Sequence, residues 1–555
     1  MQFVMKALGR GLSAAALALA LPAGGTAFAQ PARPTLVVAI SVDQFSANLF
    51  EAWRDRFTGG MARLAGGVAY PSGYHSHGGT ETCPGHSTLL TGKHPSKTGI
   101  VGNQVRDPRT GEQVYCLFDP GVTLAHDPKA NPVSPAPMMA TTLGDWLKAA
   151  SPQSRVVAVA GKDRAAITMA GQNPDAVFWL PELGAGFTTY VRPGQDAAAR
   201  LAPVAAVNAR IAAMMTTQPN WAYAHPDCRA ATDTLTVNGA AYHAQLPPEA
   251  WTPTQDPAEI RRRVRASSTY DNATFEAARA MIAGFNLGRG PQTDLLAVGF
   301  SSGDMVGHRY GTRGPEMCEQ LHNLDRLVGQ LLGELDGLKV PYLVVLTADH
   351  GGSDAVERLA AAGYPARRVP AAPIFERINK AVTEELGLSA PALAGPLDDL
   401  MVAPGLEAWR KPTVIATAIR VLEAQPEIAG AFSQAELLAT FVPPGKAVDE
   451  LTLRERYALS TYPGRSPDIM VAMQPFTTPY PGRPGGDLAG HGSPWNYDRR
   501  VPILFWWSGA PSQTRFLPVA TVDIAPTLAN ILGLTPPADI DGRCLPVAIP
   551  CPAPR

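Results

Sequence analysis

Charge is scarce in this chain and nearly balanced. Asp, Glu, Lys and Arg make up 17% of its 555 residues and leave a formal net charge of -1. The basic footprint of a nucleic-acid binder is therefore missing, and any affinity for phosphate must be local. Beyond the N-terminal segment no apolar run approaches the ~20 residues that cross a bilayer. The six cysteines (Cys83, Cys116, Cys228, Cys318, Cys544 and Cys551) include no CxxC pair, which argues against a structural zinc knuckle. Gly92-Lys93-His94 lacks the Ser or Thr and the upstream glycine spacing of a P-loop, and Gly184-Ala185-Gly186 lacks the third glycine of a dinucleotide loop. Internal repeats and extended low-complexity tracts are also missing.

What is present begins with an address. Met1 to Gln30 carries a basic start (Lys6, Arg10), an apolar stretch from Leu12 to Leu21, and Thr-Ala-Phe-Ala before Gln30. This pattern predicts a secretory signal peptide over residues 1–29, cleaved after Ala29. Its apolar run falls short of the ~20 residues of a membrane anchor. The expected product is periplasmic or secreted, with no membrane span. In an oxidising compartment the cysteines can pair. Cys544 and Cys551, which close a short C-terminal loop, are the expected pair; the other connectivities stay open.

With 45% hydrophobic residues the chain can build a large core. Short β-branched runs at Leu36 to Val42, Val156 to Ala160, Leu295 to Phe300, Tyr342 to Thr347, Ile469 to Met473 and Val501 to Trp507 suit buried strands of a mostly parallel sheet. Helical periodicity marks Met139 to Ala150, Pro315 to Leu338 and Ile524 to Leu532. Strands alternating with helices predict a three-layer α/β/α core. Three stretches richer in Pro, Gly and polar residues, at about 104–137, 181–292 and 352–466, are too long for bare connectors and are expected to be insertions capping one end of the sheet. Core-like strands recur on both sides of each insertion, so residues 30–555 are expected to form one interrupted catalytic domain rather than domains in series.

The reactive side chains collect at strand ends, where open α/β sheets place ligands. The first strand ends in Asp43. Leu295 to Phe300 leads to Asp304 and His308, Tyr342 to Thr347 leads to Asp349 and His350, and His491 sits in Gly-His-Gly before the Val501 strand. A single such Asp is readily a helix cap. Three, two of them with histidine partners, instead suit zinc, which takes N and O ligands and needs about three from the protein at a catalytic site. Asp304, His308 and His491 can hold one ion, and Asp43, Asp349 and His350 another. Two ions ~4 Å apart stabilise both the attacking and the leaving oxygen of an in-line phosphoryl displacement. The nucleophile is sought in Gly79 to Thr88, where a glycine-rich approach enters a helix start near Pro84 to Ser87. Thr82 at that start would be activated by a metal that lowers its hydroxyl pKa; taken alone it reads more readily as a cap.

These residues carry a resemblance. Asp43, Glu81-Thr82-Cys83-Pro84-Gly85-His86, Gly99 to Asn103, Gly161-Lys162-Asp163-Arg164, Asp304 with His308, Ala348 to Gly352 and Gly490-His491-Gly492 occur in order along nearly all of the chain after the leader. The ordered set resembles the alkaline phosphatase superfamily, and within it the threonine-nucleophile phosphatases exported by Gram-negative bacteria. The segment Asp523 to Leu528, followed by Gly533 and Asp541-Gly542-Arg543, is similar to that superfamily's closing helix. The resemblance implies hydrolysis of small phosphate monoesters through a phosphothreonine at Thr82, with two zinc ions held by the six ligands above and Thr82 reaching towards the Asp43 site. It implies that Asn103 binds one phosphoryl oxygen, and that Lys162 and Arg164 grip the others. Calcium as a further ion and the oligomeric state are left open.

His75, His77, His94, His126, His225, His243 and His322 lack partners at ligand spacing and are expected to be surface or packing residues, while His86 is expected to support the helix of Thr82. The chief rival function is a phosphodiesterase or nucleotide pyrophosphatase on the same scaffold; the Lys162 and Arg164 pair favours the more highly charged monoester. A sulfatase would need Cys-x-Pro-x-Arg, whereas Pro84 directly follows Cys83. An inactive phosphate- or metal-binding protein would have no use for a nucleophile.

Overall fold

The computed structural model describes residues 33–107, 110–182, 184, 186–482 and 486–552. The expected signal peptide, 1–29, lies outside the described residues. The main sheet is built from β1 (Leu36–Val42), β2 (Val68–Tyr74), β3 (Val156–Ala160), β4 (Ala176–Trp179), β5 (Asp294–Phe300), β6 (Tyr342–Thr347), β7 (Arg500–Trp507), β8 (Gln513–Thr514) and β9 (Val519–Ala520). Its order is β8-β2-β7-β6-β1-β5-β3-β4, with β9 also beside β2. The run from β6 to β4 is parallel, and β7 enters antiparallel to both β6 and β2.

Every residue of β1 is buried because both faces of the sheet are covered. Leu36, Val38, Ile40 and Val42 share one core with the helix Pro315–Gly337, while Val37 and Ala39 share another with the helices Asp163–Ala170 and Ile524–Leu532. Two helical layers around a mostly parallel sheet are the three-layer α/β/α architecture expected from the sequence. The predicted helix from Met139 is shorter, Leu143–Ala150, because Thr142 and Asp145 form a reciprocal capping box that starts it there.

Two sequence expectations are corrected. Ile469–Met473 does not join the main sheet but pairs with Asp399–Val402 and Ile428–Ser433 in a separate four-stranded antiparallel sheet. Ile469 and Val471 face a small core with the helices Ala371–Glu385 and Lys411–Glu423, while Met470 and Ala472 pack on Leu437 and Tyr457. A short strand buried on both faces looks alike in either sheet. Nor is 181–292 simply a cap: its helices Ala197–Thr216 and Thr269–Gly284 contribute Val204, Val207, Ala277 and Met281 to the same core as Val38, completing a helical layer on the sheet.

The six cysteines form three disulfides, Cys83–Cys116, Cys228–Cys318 and the expected Cys544–Cys551.

Candidate active site

Strand direction gathers the site at one edge of the sheet. In register, Val42 of β1 lies beside Phe300 of β5, Ser41 beside Thr347 of β6, and Gly299 of β5 beside Ala160 of β3. The residues that follow these parallel ends are Asp43, Asp304, Asp349 and Lys162. Because β7 runs the opposite way, its start lies at the same edge and brings His491 there. The chain leaving β2 reaches that edge too and enters helix α1 (Thr82–Leu89) with Thr82 as its first residue. A Cβ at Gly85 would fall 2.0 Å from the Asp349 carbonyl oxygen, so glycine lets α1 press directly on the β6 turn.

Asp304, His308 and His491 bring one ligand atom each to within 4.8 Å of one another, as expected from the sequence. The second compact group is Asp43, Asp304 and His350. This differs in one respect from the sequence partition: Asp304 stands between the groups, and Asp349 meets the second through His350, 3.2 Å away. Each histidine is oriented by a carbonyl, which can only accept. Nδ1 of His308 lies 3.2 Å from Ala489 O, that of His350 2.9 Å from Gly351 O, and that of His491 2.8 Å from Thr80 O. Each Nδ1 therefore carries the hydrogen, leaving Nε2 as a lone-pair ligand.

The electrostatics favour a cation. Burial pushes the Asp43 carboxyl well above its ordinary pKa, and neighbouring Asp349 adds to this while Lys162 opposes it. Burial also acts on Asp304 and Asp349, but Lys162 and His308 hold the first well below the usual range, and His350 and His86 hold down the second. The Asp304 carboxylate, 3.2 Å from His491 Nε2, raises that histidine's pKa to about 9 against the effect of burial, so Nε2 is the atom at which a proton and a metal ion would compete. Oδ1 of Asp43, Oδ1 of Asp304 and Oδ2 of Asp349 are buried and accept no hydrogen bond. Buried carboxylates in this state are costly unless a cation compensates them. Three Asp and three His whose Nε2 atoms face the carboxylates fit borderline divalent ions such as zinc.

Thr82 Oγ1 lies 3.4 Å from His350 Nε2, at the margin of this cluster. Asn103 is fixed beside it: the Cys83 backbone N–H donates to Asn103 Oδ1 at 2.9 Å, and the Asn103 N–H donates to the Glu81 carboxylate. The N–H of Cys83 is therefore used by Asn103, not left free at the helix start. Lys162 immediately precedes helix α2 (Asp163–Ala170) and places its ammonium 2.7 Å from Asp43 Oδ2 and in contact with Asp304. Arg164, two residues on, donates to the Tyr115 hydroxyl at 3.3 Å, and that hydroxyl donates to Asp163 Oδ1 at 2.8 Å. Asp163 thus turns to Tyr115.

Sequence reasoning missed Tyr115 and Glu81, which hold Arg164 and Asn103. It also passed over His225 and His322 as lacking partners. Their rings stack at 3.8 Å around the Cys228–Cys318 disulfide, with His225 Nδ1 2.7 Å from Glu319 and His322 Nε2 3.0 Å from Asp227. Glu319 also accepts the N–H groups of Ala224 and His225, so this cluster anchors a loop. His86 supports α1 as expected, its Nδ1 3.0 Å from Thr82 O and 3.1 Å from Asp349 Oδ2.

Fold and site together define an α/β protein with a buried carboxylate and imidazole centre beside a helix-borne hydroxyl. Residues 37–368 match the type I phosphodiesterase / nucleotide pyrophosphatase family, and the chain belongs to that family, within the alkaline phosphatase superfamily. It is 39% identical over 530 residues to the alkaline phosphatase PhoK of a Sphingomonas species, covering 92% of this chain and 91% of that protein. Against the alkaline phosphatase PhoD of Zymomonas mobilis the identity is 38% over 522 residues, covering 92% and 87%. The crystal structure of wild-type alkaline phosphatase PafA superposes with a TM-score of 0.81 at 25% identity, over 94% of this chain and 99% of that one.

Proposed function

We propose that the protein is an alkaline phosphatase that hydrolyses phosphate monoesters with Thr82 as nucleophile. The observation that carries this reading is the position of Thr82 Oγ1, 3.4 Å from His350 Nε2 in a cluster of six potential ligands, with Asn103 and the Lys162/Arg164 pair beside it. Asp304, His308 and His491 would hold one zinc ion and Asp43, Asp349 and His350 a second, with Asp304 close to both. When bound, the ions would lower the pKa of the attacking hydroxyl and neutralise charge on the leaving oxygen.

The chain's own residues do the rest. The start of α1 fixes the Thr82 hydroxyl, and pressing Gly85 against Asp349 keeps that helix from drifting. Asn103, its Oδ1 already occupied, presents its amide hydrogens to a phosphoryl oxygen. Lys162 has three donor hydrogens, enough to keep a carboxylate and reach an ester oxygen. Arg164, braced by Tyr115, can grip two oxygens in a fork. Residues 30–555 act as one catalytic unit in this reading, working in the periplasm or outside the cell after loss of 1–29.

The matched family's own description makes a phosphodiesterase the second reading. Hydrolysis of p-nitrophenyl phosphate and of its bis-ester by the zinc-loaded protein separates the two. The monoester is expected to be the far better substrate, and Thr82→Ala to lose nearly all turnover while keeping its zinc content and far-UV spectrum. A Thr82→Ala protein with full activity would overturn the assignment.

A further inference from the structure

A groove of about 650 Å³ runs from the catalytic edge of the sheet to the small antiparallel sheet. Asn103 and His491 line its inner end, so the organic part of an ester bound at Thr82 has this groove to enter. Its charge is unlike that of the phosphate site. Four carboxylates, Glu81, Asp398, Asp399 and Asp498, line it against one guanidinium, Arg465, and one imidazole, His491. Arg465 is turned away, donating to the carbonyls of Gly99 and Pro137. Among the described residues no Lys or Arg pairs with Glu81, Asp398 or Asp399; the one side-chain partner of Asp399 is the neutral amide of Gln113, at 3.3 Å. Burial, then the charges of Asp398 and Glu81, push the Asp399 carboxyl up to about 7. The same groove carries the rings of Tyr457, Tyr480 and Tyr497 and the side chains of Met470 and Met473.

We propose that this groove is a leaving-group subsite for amino-alcohol phosphates, taking the cationic ammonium of the alcohol against Asp398 and Asp399 and its apolar body against the tyrosines. Cations are held by carboxylates and by aromatic faces alike, and quaternary ammonium groups by the latter in particular. A second negative charge on the leaving group would meet four carboxylates with little to offset them. The inference rests on the monoesterase reading above and narrows its substrate class.

The test is kcat/KM of the zinc-loaded enzyme on three monoesters: phosphocholine, 3,3-dimethylbutyl phosphate, which has the same shape without the charge, and 3-phosphoglycerate. The expected order is phosphocholine, then the neutral ester, then phosphoglycerate, with roughly tenfold between the first two, the scale of a partly screened charge pair. In Asp398→Asn/Asp399→Asn that preference is expected to shrink to about two-fold, as the attraction of two of the charges is removed. The neutral ester should be hydrolysed as before, which also certifies the fold of the variant. Equal rates on all three esters in the wild type, or a preference untouched by the double substitution, overturns the subsite alone. No hydrolysis of any of the three, with p-nitrophenyl phosphate also untouched, overturns the monoesterase reading and this inference with it.

Discussion

The backbone N–H of Cys83 donates to Oδ1 of Asn103 at 2.9 Å, so the residue after Thr82 decides which way the amide of Asn103 faces. Its NH₂ is the end that faces substrate in the proposed reading.

Asn103→Asp is therefore expected to be worse than Asn103→Ala. The carboxylate can still accept from Cys83, but it offers the phosphoryl group a second acceptor and a like charge in place of a donor. Loss of one preorganised donor costs about 10²-fold in kcat/KM, and the added charge should deepen it. Steady-state assays of both variants on p-nitrophenyl phosphate check the order; an aspartate variant as active as the alanine one would place Asn103 away from the substrate.

Replacing Lys162 and Arg164 together by alanine should lower monoesterase kcat/KM by ~10²-fold or more, since two charge-assisted contacts to a dianion are lost. A diester carries one charge fewer, so its hydrolysis should fall much less. Both activities measured on one preparation decide the matter: equal losses would mean that the pair serves the fold or a step common to both. Lys162 also pairs with Asp43 and Asp304, so zinc content should be measured alongside.

Tyr115→Phe removes only a hydroxyl, yet that hydroxyl is the link between Arg164 and Asp163. The expected result is a drop of about five- to tenfold in kcat/KM for monoesters, the scale of one hydrogen bond to a charged group, with thermal stability nearly unchanged. In the background of Arg164→Ala the same substitution should have little further effect, because the side chain it positions is gone. Additive losses would show that Tyr115 acts independently.

His75 ties the pH dependence of stability to the back of the site. It is buried between Ala348 O, 3.0 Å from Nε2, and Thr521 Oγ1, 3.2 Å from Nδ1, and burial lowers its pKa to about 4. The neutral ring is the folded form, so its contribution is complete above the unfolded pKa of ~6.5 and is lost as pH falls from there towards 4. The loss is on the order of 2–3 kcal/mol by pH 4.5. Urea unfolding of wild type and His75→Gln at pH 7 and pH 4.5 should show the variant losing that much less stability on acidification. Parallel losses in the two proteins would assign acid sensitivity to the carboxylates instead.

The strands that build the site were readable because they are buried on both faces. Leu36–Val42, Asp294–Phe300 and Tyr342–Thr347 are apolar almost throughout, and each ends at the polar residues it delivers. β2 was not, since Pro71 and Gly73 break its pattern, though its pairing with β7 carries the chain to Thr82. Ile469–Met473 misled because burial on two sides does not say which sheet is meant. In the site, Asp43, Asp304 with His308, and Asp349 with His350 follow the ends of readable strands within a few residues and stand out one by one, whereas Thr82 follows the unreadable β2 and His491 precedes β7. Tyr115 and Glu81 act across 49 and 22 residues of chain, on Arg164 and Asn103, and no local pattern announces such contacts.

The first strand in sequence is the middle of the sheet, and this sets an order of events during synthesis. β1 pairs only with β5 and β6, whose first residues are Asp294 and Tyr342, so it has no partner until more than half of the chain exists. Such distant pairings must meet the entropy of closing a long loop before they return any stability. A growing chain therefore holds Asp43 and Thr82 without the strands that would gather them, and the last member of the cluster, His491, arrives nearer still to the end. A fragment that stops short of His491 lacks one member of the cluster, so the complete set of side chains comes together only late in synthesis.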